Sequence, residues 1–167
     1  HAWLVDWLAR PLDLGRLGAS SPVAPAQFAR VQIEMEFLLA AQHVDTLALD
    51  ALVCRHTLGG AARAPLLPQQ MNGMLKGYID LVSEHEGRYY VADYKSNWLG
   101  PGDADYGADA LRQQVLMHRY ELQYVLYIFA LHRLLRSRLP DYDYEHHMGG
   151  AVYIFLRGSA GGGQGLH

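Results

Sequence analysis

A chain of 167 residues, half of them apolar and 19% charged, can bury one substantial core and is too short for several. Its formal net charge of -3 excludes capture of a polyanion by overall charge, so any contact with nucleic acid has to rest on local groups or a bound cation. The single cysteine, Cys54, excludes an intrachain disulfide and a multi-cysteine zinc site and reads as a core residue.

No apolar run approaches the ~18 residues of a membrane span, and the first residues lack the basic start and apolar core of a signal peptide, so the expectation is a soluble cytoplasmic protein without membrane contact. The chain starts at His1 rather than Met and reads as a fragment of something longer. Residues 1–30 combine a short apolar segment (Trp3, Leu4, Val5, Trp7, Leu8) with a Gly/Ser/Pro/Ala stretch from Gly15 to Ala26, predicting a partial helix and then a flexible loop.

Val31 to Phe37 alternates apolar and polar residues, the mark of a strand with one buried face, and puts Glu34 and Glu36 on the other. Residues 45–56 fit a short helix better than a strand. Met74 to Ser83 and Arg88 to Lys95 are rich in Ile, Val and Tyr around Glu84-His85-Glu86-Gly87, which predicts a hairpin. A loop from Asn97 to Tyr106 leads to helices over Ala108–Met117 and His118–Leu139, the second stopped by Pro140. Gly150 to Leu156 reads as a last buried strand before the Gly-rich tail, 159–167. The order is helix, strand, helix, strand, strand, helix, helix, strand, with 31–158 as the core.

A hairpin turning symmetrically about Glu86-Gly87 pairs residues so that Asp80 lies opposite Asp93, with Lys95 on the face of Asp93, two residues along. Carboxylates facing each other across strands repel, and a partly buried pair needs a proton, a basic group or a cation between them. A divalent metal answers that need. With hard oxygen ligands and no thiolate, magnesium or manganese is favoured over zinc. Phosphodiester hydrolysis needs an activated water, a neutralised phosphoryl oxygen and help for the leaving oxygen, and Lys95 adds an ammonium suited to orienting the water or stabilising the phosphorane charge. An Asp-x-Lys tripeptide is more often a solvated ion pair. Here, however, it lies among Val91, Ala92 and Tyr94 and would be buried.

Gly77-Tyr78-Ile79-Asp80 followed by Asp93-Tyr94-Lys95-Ser96-Asn97-Trp98 resembles the core motif of the PD-(D/E)XK nuclease superfamily, and within it the nuclease domains of RecB type from bacterial RecBCD, exodeoxyribonuclease V. The resemblance continues through His118-Arg119-Tyr120, Leu122-Gln123-Tyr124 and Tyr127, and from Asp141 to His147 and Phe155 to Gly158. It implies an α/β fold, a central mixed sheet flanked by helices, and a magnesium-dependent deoxyribonuclease in which manganese can substitute. Asp80 and Asp93 would be metal ligands, the Tyr94 carbonyl a further ligand and Lys95 the catalytic lysine. The family's Gln-x-x-x-Tyr motif maps onto Gln123 and Tyr127, one helical turn apart.

It also implies single-stranded DNA as substrate, RecC- and RecD-like subunits as partners and a role in double-strand break repair. A departure from the pattern is the family's metal-binding histidine in a Gly-x-x-x-His setting, which neither His1 nor His43 fits; a start downstream of it would leave the fragment weak or inactive. No Gly-x-x-x-x-Gly-Lys loop for ATP is present. The rival reading is a catalytically silent nuclease-fold module that binds DNA or partner subunits, with a small-nucleotide phosphohydrolase ranked last.

Glu36 is a candidate outer ligand. His146 and His147, being adjacent, point apart and do not make a joint metal pair. Arg112, Arg119 and Lys76 are candidates for phosphate contacts, and Tyr106, Trp98 and Tyr124 for base stacking. The acidic Asp103-Ala104-Asp105 loop reads as solvent-exposed.

Overall fold

A two-residue turn sets the sheet. Glu86 and Gly87 both have positive φ, 53° and 76°, the pairing whose twist matches antiparallel strands. The Glu84 carboxylate also accepts the Gly87 N–H at 3.0 Å. From His85↔Arg88 the ladder runs without a slip to Leu81↔Ala92, the register predicted from the sequence. The computed structural model describes residues 5–158 apart from Trp7 and Gly18. Its strands are β1 (Arg30–Asp45), β2 (Gln70–His85), β3 (Arg88–Lys95) and β4 (Met148–Phe155), in that spatial order. β1, β2 and β3 are antiparallel neighbours and β4 runs parallel to β3, so the sheet is mixed, as the resemblance implies.

β1 and β2 are longer than their alternating cores predict. Beyond Phe37 and before Met74 they pair chiefly with each other; Leu39 is buried and Leu38 exposed, but Leu38-Leu39-Ala40-Ala41 is apolar on both faces, so the sequence carries no alternation there, while Val31 and Ile33, expected on the buried face, are exposed. α1 (Thr46–His56) begins where the Asp45 carboxylate accepts the N–H groups of Leu47 and Ala48. α2 (Ala108–Met117) is as predicted. Arg119, at φ 55°, then breaks the chain, so that α3 (Tyr120–Arg138) starts two residues later than the pattern suggested. A one-turn helix, α4 (Tyr144–His147), capped by Asp143, was not foreseen.

The two sheet faces are covered differently. On one, Tyr127, Leu131 and Leu135 of α3 pack on Ile79, Val82, Val91 and Met148, and Leu111 and Val115 of α2 pack with Tyr106, Tyr153 and Phe155. On the other, Leu12, Leu14 and Val23 cover Leu81, Tyr90, Ala92, Val152 and Ile154. The stretch after Gly15, expected as a flexible loop, packs here through Leu17, Ala19 and Val23. Leu12 and Val23 bridge antiparallel, and the Ser20 N–H and Ser21 hydroxyl bond the Glu86 carboxylate at the hairpin turn. The burial comes from tertiary contact, which no local period records. Trp3, Leu4 and Trp7 of the helix predicted around Trp3–Leu8, and the tail 159–167, lie outside the described residues.

Candidate active site

β3 turns Asp93 and Lys95 toward α3, and Asp93 is only 5% exposed. Lys95 Nζ lies 2.6 Å from Asp93 Oδ2 and donates to Gln123 Oε1 at 2.8 Å. The Gln123 amide nitrogen donates to Asp93 Oδ1 (3.1 Å) and to the Tyr127 hydroxyl (2.7 Å). The Tyr127 hydroxyl itself reaches Asp93 Oδ1 at 3.4 Å. Gln123 thus bridges the acid and the base on β3, and Tyr127, a turn later on the same helical face, fixes the bridge. Tyr153, level with Asp93 in the parallel ladder, donates to Gln123 Oε1 at 3.2 Å.

Asp80 sits where the sheet changes face. Strict alternation would put Ile79 and Leu81 on one side, yet Ile79 packs with Val82 toward α3 while Leu81 packs under the N-terminal segment. Opposite Asp80 on β1, Glu34 has φ 50°, and the regular ladder is interrupted between Ile33↔Leu81 and Met35↔Ile79. This local irregularity acts as a bulge does, re-aiming one side chain. Asp80 Oδ2 accepts the Tyr94 N–H at 3.0 Å.

Burial pushes the Asp93 carboxyl above its ordinary range, the Asp80 charge adds to this, and hydrogen bonding and charge from Lys95 oppose it. Burial, then the Asp93 charge, push the Tyr127 hydroxyl up to about 12. Tyr153 is raised by the same two causes. Both phenols therefore remain protonated donors at neutral pH.

Asp80, Asp93 and the Tyr94 carbonyl supply hard oxygens. Among the described residues no group of three or more His, Cys, Asp or Glu side chains could hold a metal ion. Two carboxylates supplemented by a carbonyl and water is a donor set that suits a cation which keeps several of its waters, as magnesium does. A cation would also relieve the raised Asp93 carboxylate, so the residues present fit such an ion. The Glu36 carboxylate is engaged elsewhere, with Lys76 Nζ at 3.1 Å and the Tyr78 hydroxyl at 3.0 Å, and these hydrogen bonds hold its pKa down.

Other candidates are also placed apart from the site. Arg119 joins an internal ion network: its guanidinium bonds Asp50, Glu121 and the Ala64 carbonyl, while Arg63 pairs with Glu121 at 3.3 Å. Arg112 donates to the Leu58 carbonyl at 2.6 Å. Tyr106 is a core residue whose hydroxyl lies between Asn97 O and Leu99 N, and half-buried Tyr124 packs against Tyr153. Trp98 is exposed, as are Asp103 and Asp105. His146 and His147 both turn to Asp143 rather than to a shared ligand. The sequence reading missed Tyr120 and Tyr153, whose rings lie beside Lys95. Only the parallel β3–β4 register could have revealed Tyr153.

A mixed sheet that sets an Asp, a second Asp and an Asp-x-Lys lysine against a Gln and Tyr of one helix defines a nuclease class: the chain belongs to the PD-(D/E)XK nuclease superfamily, whose family model matches residues 3–165. It is similar to RecBCD enzyme subunit RecB of Escherichia coli (strain K12), 47% identical over 158 residues, which cover 93% of this chain and 13% of that protein. The RecB subunit of Haemophilus influenzae is 46% identical over 132 residues, 77% of this chain and 10% of that protein. The RecB subunit of Mycobacterium tuberculosis (strain ATCC 25618 / H37Rv) is 46% identical over 99 residues, 59% of this chain and 9% of that protein. The chain thus spans about an eighth or less of these relatives' lengths. Among the described residues no helix is long and apolar enough to cross a membrane.

Proposed function

We propose that this chain is a DNA nuclease domain that hydrolyses phosphodiester bonds with a divalent cation, magnesium by preference and manganese as a substitute. The observation that carries the reading is the bracket of Lys95, Asp93 and Gln123 beside Asp80. Membership of a nuclease superfamily supports it. Asp80, Asp93 and the Tyr94 carbonyl would hold the cation, which lowers the pKa of bound water and neutralises phosphoryl charge.

The remaining work falls to the chain's own groups. Lys95 places an ammonium where an attacking water or a phosphoryl oxygen would lie, and its charge stabilises the negative charge that develops at phosphorus. Gln123 keeps Lys95 and Asp93 at a fixed spacing, and Tyr127 orients the Gln123 amide so that its oxygen faces the lysine. Burial of Asp93 keeps competing water off this carboxylate.

From the resemblance of its motifs to RecB-type nuclease domains we further propose single-stranded DNA fed by a helicase during double-strand break repair as the substrate, the bacterial cytoplasm as the location and RecC- and RecD-like subunits as partners; the relatives are named as RecB subunits of a RecBCD enzyme. The test is digestion of end-labelled single-stranded DNA at low salt, with magnesium or chelator, by the unsubstituted chain and by Asp93→Ala. Magnesium-dependent cutting that the substitution abolishes is the expected result. DNA retention by both proteins with cutting by neither would favour a silent binding module instead.

A further inference from the structure

Lys95 is held by more than its two oxygens. Its Nζ lies 3.9 Å from the centroid of the Tyr120 ring and 4.9 Å from that of Tyr153. The two rings are tilted against each other, with centroids 5.5 Å apart. Each is anchored by its hydroxyl, Tyr120 to Asn97 Oδ1 at 3.3 Å and Tyr153 to the Tyr120 carbonyl and Gln123 Oε1. An aromatic face attracts an ammonium through its quadrupole, without accepting its proton and without carrying a charge that would cancel it.

A cation held by Asp93 would share the carboxylate charge that now faces Lys95. The remaining contacts of the ammonium are Gln123 Oε1 and the two rings, which would then carry more of its placing. We infer that Tyr120 and Tyr153 are positioning residues for Lys95, forming an aromatic seat that keeps the ammonium in place once Asp93 is engaged elsewhere. This inference rests on the proposed catalytic role of Lys95. The alternative is that the rings merely pack the start of α3 against β4.

The experiment combines a spectroscopic signature with kinetics. In the 167-residue chain saturated with magnesium and free of DNA, the Lys95 ε-methylene protons should appear upfield through the ring currents of the two tyrosines. They should move toward the free-lysine position in Tyr120→Leu. In DNA digestion, Tyr120→Leu should lower kcat roughly 5- to 30-fold, the loss of a partly desolvated cation–π contact, with KM little changed. Tyr120→Phe should restore kcat to within about threefold, because the face is retained and only a neutral hydrogen bond is lost.

A ring-fluorinated phenylalanine at the same position keeps the shape and weakens the quadrupole. Its kcat should fall well below that of Tyr120→Phe, which also decides the matter if Tyr120→Leu fails to fold. Full kcat in Tyr120→Leu, or equal kcat for the plain and fluorinated rings, overturns the inference while leaving Lys95 in its role. Full cutting by Lys95→Ala overturns the catalytic reading of the lysine and the inference with it.

Discussion

Replacing Arg63 by methionine tests how the fold holds its buried charges. Arg63 and Glu121 are almost wholly buried, with 1% and 0% side-chain exposure. Arg119 and Asp50 complete a set of two cations and two anions joining α1, α3 and the segment between α1 and β2. Arg63→Met keeps most of the bulk but leaves one anion in excess, and it strips Thr57 of two guanidinium hydrogen bonds. Breaking a buried ion pair costs about 3–5 kcal/mol. Here Arg119 still donates to Glu121 Oε1 at 2.5 Å, so a value near the lower end, about 3 kcal/mol, follows. At about 2–4 °C per kcal/mol for a domain of this size, the midpoint of thermal unfolding should fall by roughly 6–12 °C. The assay is urea and thermal unfolding of the single variants and of Arg63→Met/Glu121→Met. The double variant restores charge balance around Arg119 and Asp50, so its loss should fall short of the summed single losses by more than about 1 kcal/mol. A loss below about 1 kcal/mol for Arg63→Met, or simple additivity, would refute the reasoning.

Gln123→Leu removes the bridge between Asp93 and Lys95 and should lower kcat for DNA cutting by more than about tenfold while the unfolding midpoint changes little; steady-state digestion and calorimetry together check this. A methyl group at Gly77 would overlap the Phe37 ring, and Phe37 packs edge-on against Tyr127. Gly77→Ala should therefore cost about 1–2 kcal/mol in urea unfolding and slow cutting by displacing Tyr127. Burial alone would raise the Asp50 carboxyl, but hydrogen bonds from Arg119 and the Leu66 N–H, with the charge of Arg119, bring it below its usual 3.8. A lowered folded-state pKa stabilises the fold above 3.8, and that contribution is lost as pH falls through the folded value. Asp50→Asn should accordingly be less stable than the unsubstituted chain at neutral pH, and the gap should close in acid, read by unfolding across a pH series. Millimolar magnesium should raise the unfolding midpoint of the unsubstituted chain and leave that of Asp93→Ala unmoved.

What could be read from the sequence was what neighbours along the chain decide. The β2–β3 register follows from a tight Glu86-Gly87 turn, and the placing of Lys95 beside Asp93 follows from a period of two. Gln123 and Tyr127 meet because they are one turn apart on α3. The face change at Asp80 was hidden, since it depends on the backbone of Glu34 across the ladder. The Tyr120 and Tyr153 seat depends on a parallel pairing between strands separated by three helices, α2 to α4. Asp50, Arg63, Arg119 and Glu121 look like surface charges one by one, and only folding brings them into one neutral cluster. The far half of β1 was missed because Leu38-Leu39-Ala40-Ala41 puts apolar residues on both the covered and the exposed face, so burial alternates where the sequence does not.

The strap from Leu12 to Val23 determines where this chain can be cut. A boundary drawn at residue 31, where the alternating pattern begins, would leave the strands all but intact and still strip the cover from Leu81, Tyr90, Ala92, Val152 and Ile154. Five apolar side chains on the back of one sheet would then meet water together. The shortened protein should be sticky and poorly folded, although every residue of the proposed site would still be present. For anyone trimming the domain for expression or fusing it to another protein, the join has to lie upstream of Leu8, which packs on the same cluster, in a region whose sequence looks dispensable.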